Sequence, residues 1–198
     1  TGCYYAATNN DGSHDNTNTS SSYMGRGIWC YSFLYNNIEK NDHYLDIASK
    51  GVEFIMKHRP TGDNLWPSNY TNEGAVMGSG EGSWPGDCYI AEGLAEYSRA
   101  TGDTKYFDAG RETILKCARL YDRPDFKYGD VFPGSRNIWY TMLLMWFGTN
   151  VLYTKNDPEM QALNDHSRNV ILENYNNPKF NLMNLILNHD YSRCDDPK

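Results

Sequence analysis

Residues 87–120 read as two helices joined by a tight turn, and the rest of the chain repeats that unit. In the first helix Ile90, Ala91, Leu94, Ala95 and Ser98 recur at the spacing of one buried helical face. Gly102 has the place of a glycine that ends a helix, and Asp103 the place of a residue that caps the next one. The second helix, from Thr104 to Leu120, turns inward Phe107, Ile114, Ala118 and Tyr121. Similar starts occur at Asn41-Asp42, leading into Val52, Phe54 and Ile55, and at Asn156-Asp157, leading into Val170, Ile171 and Leu172. The three aspartates, Asp42, Asp103 and Asp157, lie 61 and 54 residues apart. That period suits two helices of roughly 15–18 residues plus their loops.

Composition narrows the function. The net charge of −7 argues against a nucleic-acid partner. No run of about 18 apolar residues is present to span a membrane. With 198 residues the chain is long enough for one domain with a real core, and residues 1–198 are taken as such. Aromatic residues make up 14 %, with 16 Tyr and 5 Trp, in a chain whose mean hydropathy is −0.72. Polar chains rich in aromatic rings suit carbohydrate, because flat apolar rings stack on the C–H faces of sugars; core packing accounts for most such rings. The five cysteines, Cys3, Cys30, Cys88, Cys117 and Cys194, include no C-x-x-C pair, so no zinc or redox motif is expected. They suit reduced thiols in a cytoplasmic protein. No metal or cofactor is implied.

Along the chain, the Asn/Thr/Ser-rich stretch to Ser22 reads as a long loop. A helix follows with Met24, Ile28, Tyr31, Tyr35 and Ile38 as its stripe. Arg26 falls in its first turn between Gly25 and Gly27. The glycines each cost about 1 kcal/mol against alanine and permit a close approach of another chain or a ligand. Arginine at a helix start also opposes the macrodipole. Two local rules broken together mark a functional position; a structural ion pair is the competing explanation. Leu65 to Gly74 reads as a small β-hairpin. The glycine-rich loop 75–85 lacks the Gly-Lys-Ser/Thr of a phosphate loop and reads as a mobile loop at a site mouth, with Trp84 as a stacking residue. Ile138 to Leu152 is apolar nearly all round and reads as an inner helix, with Asn137 at its start as a polar group on a cavity floor. Asp157 to Asn174 is an outer amphipathic helix, and Phe180 to Asp190 reads as one extended strand. Inner and outer helices alternating in hairpins are the pattern of an all-α toroid. Three hairpins are visible where six close a ring.

Two stretches resemble a known family. Gly25-Arg26-Gly27-Ile28-Trp29 resembles the Gly-Arg-x-x-Trp signature of the N-acylglucosamine 2-epimerase family. Asp87 to Asp103 resembles that family's Asp-Cys-Phe-x-x-x-x-Leu-x-Glu-Tyr-x-x-Ala-Thr-Gly-Asp stretch. The opening Gly2-Cys3-Tyr4-Tyr5 with Asp11-Gly12, and the strand Leu185 to Asp190, fall in the same order.

The resemblance implies an (α/α)6 barrel, here its N-terminal half to two-thirds, that acts on a small carbohydrate at C2. Such chemistry needs an open-chain sugar, a base for the C2 proton, an acid to return one, and a cation for the enediolate oxygen. Arg26 matches the family's substrate arginine, and Trp29, Trp84, Asp87 and Asn137 are the other substrate-binding expectations. The family's two catalytic histidines lie on later helices, and none of His14, His43, His58, His166 or His189 matches them; His189, ending the last strand, is the one placed where it could line the cavity. The chain therefore reads as a fragment of a longer enzyme or as a short relative without the acid/base pair. A toroid glycosidase using Asp87 and Glu92, and a non-catalytic sugar-binding module, are the alternatives. A half-toroid would expose apolar helix faces that self-association, as in a homodimer, would cover.

Overall fold

The computed structural model describes residues 2–13, 18–80, 82–129 and 131–194. They form three helical hairpins with short two-residue strands between them. Helices α1 (Ser21–Asn37) and α2 (Asp42–Lys57) make the first, α3 (Trp84–Thr101) and α4 (Thr104–Tyr121) the second, and α5 (Ile138–Thr154) and α6 (Pro158–Val170) the third. The chain divides into two compact units, Thr1–Ile114 and Leu115–Lys198, with the boundary inside α4.

The caps follow the sequence closely. Gly102 ends α3 in the left-handed conformation, and its N–H donates to the Ser98 carbonyl. Asp103 begins α4, its Oδ1 accepting from the Lys105 N–H at 3.1 Å. Asp157 caps α6 by accepting from the N–H groups of Glu159 and Met160. At the first hairpin the cap is Asn41, which accepts from the His43 N–H, and Asp42 is the first helical residue. Asn is as good a cap as Asp, so the repeat survives with a shift of one. Asp157→Ala should lower stability by about 1 kcal/mol, read as a lower urea midpoint at unchanged slope.

Asp103 also gives stability a dependence on acid. A hydrogen bond from Lys105 holds its carboxyl below the ordinary value of 3.8. A depressed carboxylate contributes above its unfolded pKa, and the contribution is lost as pH falls through the folded one. Between pH 6 and pH 3 the melting temperature of Asp103→Asn should therefore fall less steeply than that of the native chain.

In the first unit, Met24 and Ile28 of α1, Val52 and Ile55 of α2, and Ile90 and Leu94 of α3 pack with Trp66 and Tyr70. Tyr31 is half-buried and Ile38, just past the end of α1, is 69 % exposed. Helix α3 is buried on every side from Trp84 to Ser98, polar residues included. This reverses the amphipathic reading, which expected one buried face. Strand β1 (Thr19–Ser20) pairs antiparallel with β2 (Asn69–Tyr70). The hairpin expected over 65–74 turns further on: Thr71 N–H donates to the Ala75 carbonyl, and Met77 N–H to that of Asn69. The glycine-rich loop that follows is pinned by bridges at Tyr70–Val76 and Pro67–Gly82.

In the second unit, α5 packs on α6 through Phe147, Val151 and Met160, all fully buried. Asn164 of α6 fits against Gly148, where a Cβ would lie 2.1 Å from the Asn164 Oδ1. Helix α5 was read as an inner helix, yet it exposes Trp139, Met142, Trp146 and Tyr153 while burying Tyr140, Leu143, Leu144 and Phe147. A helix apolar all round has no pattern that says which face packs. After α6 the chain widens into a five-residue π-helix, Ile171–Tyr175. The single strand expected over 180–190 is two: β5 (Leu182–Met183) pairs with β4 (Asn176–Asn177), and β6 (Ile186–Leu187) with β3 (Arg136–Asn137). No helix among the described residues is long and apolar enough to cross a membrane.

Candidate functional site

Arg26 is held on the surface of the first unit by an unusually close helix crossing. A Cβ on Gly25 would lie 2.3–2.4 Å from the backbone of Tyr89 and Ile90, and one on Gly93 would lie 2.6 Å from the Gly25 carbonyl. Helices α1 and α3 therefore touch backbone to backbone. Gly27 serves a different neighbour, since its Cβ would meet the Tyr4 ring at 2.3 Å. Both glycines beside Arg26 thus make room for the protein's own chain.

The crossing sets Arg26 directly over Tyr89. The guanidinium carbon lies 4.0 Å from that ring's centre and 5.9 Å from the centre of the Tyr23 ring. Tyr89 itself is buried. Arg26 is exposed and makes no hydrogen bond or ion pair among the described residues. Because α1 begins at Ser21, Arg26 is in its second turn, where the macrodipole has faded. One turn on, half-buried Trp29 stacks on Phe33 with ring centres 4.8 Å apart. Residues 26, 29 and 33 share one helical face, so a cation and two rings stand in line. A guanidinium resting on an aromatic face keeps the N–H donors at its edge for oxygen ligands.

Trp84 and Asp87 are interior. Trp84 opens α3, behind the Ser83 cap, and is fully buried, so it offers no ring face to a sugar in this conformation. Asp87 is fully buried too, and its Oδ1 accepts from the Trp66 N–H at 2.9 Å. The Trp66 Nε1–H in turn donates to the Ile55 carbonyl. Asp87 therefore ties the loop before β2 to the start of α3. Glu92 follows Asp87 by five residues, about 140° around the helix, so the two carboxylates point apart. A glycosidase pair needs both to face one bond.

Asn137 caps α5, accepting from the Trp139 N–H at 2.9 Å. His189 belongs to a cluster in the second unit that sequence reading missed, centred on Arg136. Arg136 is 2 % exposed. Its Nε donates to the His189 carbonyl at 3.1 Å, Nη1 to that of Tyr121 at 2.8 Å, and Nη2 to the Asp122 carboxylate at 2.8 Å. The His189 Nε2 lies 3.0 Å from both the Asp122 carbonyl and Arg136 Nη2, so its ring is engaged by the cluster. The signal in the sequence was slight: one arginine before an apolar helix. Arg136→Met should lower the stability of the second unit by about 2 kcal/mol, since buried carbonyls lose their donors. Arg136→Lys should recover little of it, because an ammonium cannot reproduce the fork.

The other described histidines lie on or at the end of α2 and on α6. His43 is in the first turn of α2, His58 ends α2 with its Nδ1 3.0 Å from the Phe54 carbonyl, and His166 lies beside Tyr191. His14 lies outside the described residues. Among the described residues no cluster of three or more His, Cys, Asp or Glu could hold a metal ion. No disulfide joins the five cysteines; Cys88 and Cys117 are buried, whereas Cys30 is exposed rather than sequestered.

No protein-family model and no curated protein sequence matches the chain. Solved structures do. The chain is similar to a sugar epimerase from a ruminal bacterium, with TM-score 0.78 and 14 % identity over 98 % of this chain and 54 % of that one. It is similar to D-mannose isomerase, with TM-score 0.64 and 11 % identity over 93 % and 52 %. It is also similar to a β-1,3-1,4-glucanase from Paenibacillus sp. X4, with TM-score 0.61 and 15 % identity over 83 % and 46 %. The chain spans about half the length of the solved structures it matches. At these identities the likeness is one of fold. The chain has the helical-hairpin fold of the α/α-toroid sugar enzymes.

Proposed function

We propose that this chain supplies the arginine-bearing part of a sugar 2-epimerase or aldose–ketose isomerase of the N-acylglucosamine 2-epimerase kind. The observation that carries the reading is Arg26: an exposed guanidinium, without an ion partner among the described residues, seated on the Tyr89 ring beside the Trp29–Phe33 stack. Removing the C2 proton of an open-chain aldose puts negative charge on O1. A permanent cation with its donors in a rigid fork stabilises that charge, and the adjacent rings suit the apolar face of a carbohydrate. Trp29 belongs to this surface. Asp87 and Trp84 support it from beneath by fixing the start of α3. The epimerase and isomerase among the similar structures favour C2 chemistry, and the divergent carboxylates of α3 disfavour hydrolysis. The substrate in this reading is a small carbohydrate, and a cytoplasmic setting and a homodimer fit it.

The test is C2 proton exchange in D2O, followed by NMR with glucose, mannose, N-acetylglucosamine, N-acetylmannosamine and a β-1,4-disaccharide. Deuterium at C2 of one of them is the expected result in a protein that joins this part to the acid/base pair, and no exchange with this chain alone. Cleavage of the disaccharide without exchange at C2 would replace this reading with hydrolysis.

A further inference from the structure

Helix α5 carries no charged side chain along its 17 residues, in a chain of which 22 % is charged. Its exposed residues are Trp139, Met142, Trp146, Thr149 and Tyr153. They follow one another at steps of 3, 4, 3 and 4, the repeat of a helix seam that packs on another helix. Another face of α5 is already occupied, since Phe147 and Val151 are buried where α5 meets α6. A helix face meant for water carries charged and polar residues. This one carries two tryptophans, a methionine and a tyrosine, 44–76 % exposed. Tryptophan and tyrosine are the side chains that most often anchor interfaces. The seam has no part in the Arg26 reading or in the proposed chemistry.

Symmetry and area both name a second copy of this chain as the occupant. The seam reads almost the same in both directions about Trp146: Trp139 and Tyr153 lie seven residues to either side, Met142 four before and Thr149 three after. A two-fold contact presents one patch to itself, and a palindrome of this kind is what it needs. With two α5 helices antiparallel, Trp146 meets its own copy on the axis. Trp139 then meets the Tyr153 of the second copy, and Met142 fills the space beside the shorter Thr149. No charge on α5 opposes the pairing. Aromatic side chains carry about 150–250 Å² each, so the exposed fractions leave roughly 450 Å² of apolar side chain per copy. Half-buried Ile138, Met145 and Leu152 line one edge of the seam and bring the two-copy total toward the about 1,200 Å² at which stable specific interfaces begin.

We infer that two copies of this chain associate through α5, antiparallel, across a two-fold axis at Trp146. The test is analytical ultracentrifugation of the full chain at concentrations from about 1 to 200 µM. The expected result is a concentration-dependent rise from 22.7 kDa to twice that mass. Trp146→Glu sets two carboxylates on the axis and should weaken the dimer about 100-fold, with the helical circular-dichroism spectrum unchanged. Trp139→Lys and Tyr153→Glu should each weaken it about tenfold. The double variant should restore it, because antiparallel pairing sets each introduced ammonium against an introduced carboxylate. A chain that stays at 22.7 kDa throughout, a dimer indifferent to Trp146→Glu, or a double variant that dimerises no better than the single ones would each overturn the inference.

Discussion

In a protein that joins this part to the acid/base pair, Arg26→Met should reduce C2 exchange at least 100-fold while leaving the fold intact. Arg26 is exposed and lies over the rings of Tyr89 and Tyr23, so the methionine chain covers much of the same ring surface. What disappears is charge and the fork of donors. Removing one donor from an oxyanion site typically costs about 10²–10³ in rate. Arg26→Lys keeps the charge but not the planar face on Tyr89 or paired donors, and should recover only part of the loss. Unchanged melting temperature with lost exchange would assign Arg26 to chemistry; lost exchange accompanied by unfolding would assign it to structure.

Gly25→Ala should destabilise the first unit by about 3 kcal/mol, the upper part of the range for an overpacked interior. The new Cβ would fall 2.3–2.4 Å from the Tyr89 and Ile90 backbone, and a backbone cannot swing aside as a side chain can. Relief requires α1 to move off α3. That movement would also separate Arg26 from Tyr89, so sugar binding should weaken together with stability. Cys30→Ala, on the same helix but exposed, should change stability by less than about 0.5 kcal/mol. Urea denaturation of the two variants side by side reads the difference.

The helical hairpins were legible because their signals are local. Gly102 and Asp103 announce a turn by backbone conformation and capping, and the structure places both as the sequence implies. Burial was harder, because it belongs to the neighbours. Helix α3 carries Asp87, Glu92 and Glu96 and looks half-solvated, yet all three are buried; the Asn36 amide and Arg99 both donate to the Glu96 Oε1. Helix α5 looks like a core helix and shows two tryptophans to solvent. Gly25 and Gly27 were correctly read as places of close approach, but a sequence cannot say what approaches: here it is α3 and Tyr4. Arg136 escaped notice for the same reason. Its partners, Tyr121, Asp122 and His189, are 14 to 53 residues away in the chain.

The most direct test of the Arg26 surface is its own NMR signal. The side-chain Nε–H resonance of Arg26 can be followed as the labelled chain is titrated with mannose and with the linear polyols sorbitol and mannitol, which mimic an opened sugar. The expected result is a saturating shift of that resonance with a polyol, accompanied by shifts at Trp29, and no such shifts at Trp29 in Arg26→Met. A resonance that stays fixed with every sugar and polyol would contradict the placing of the substrate at Arg26.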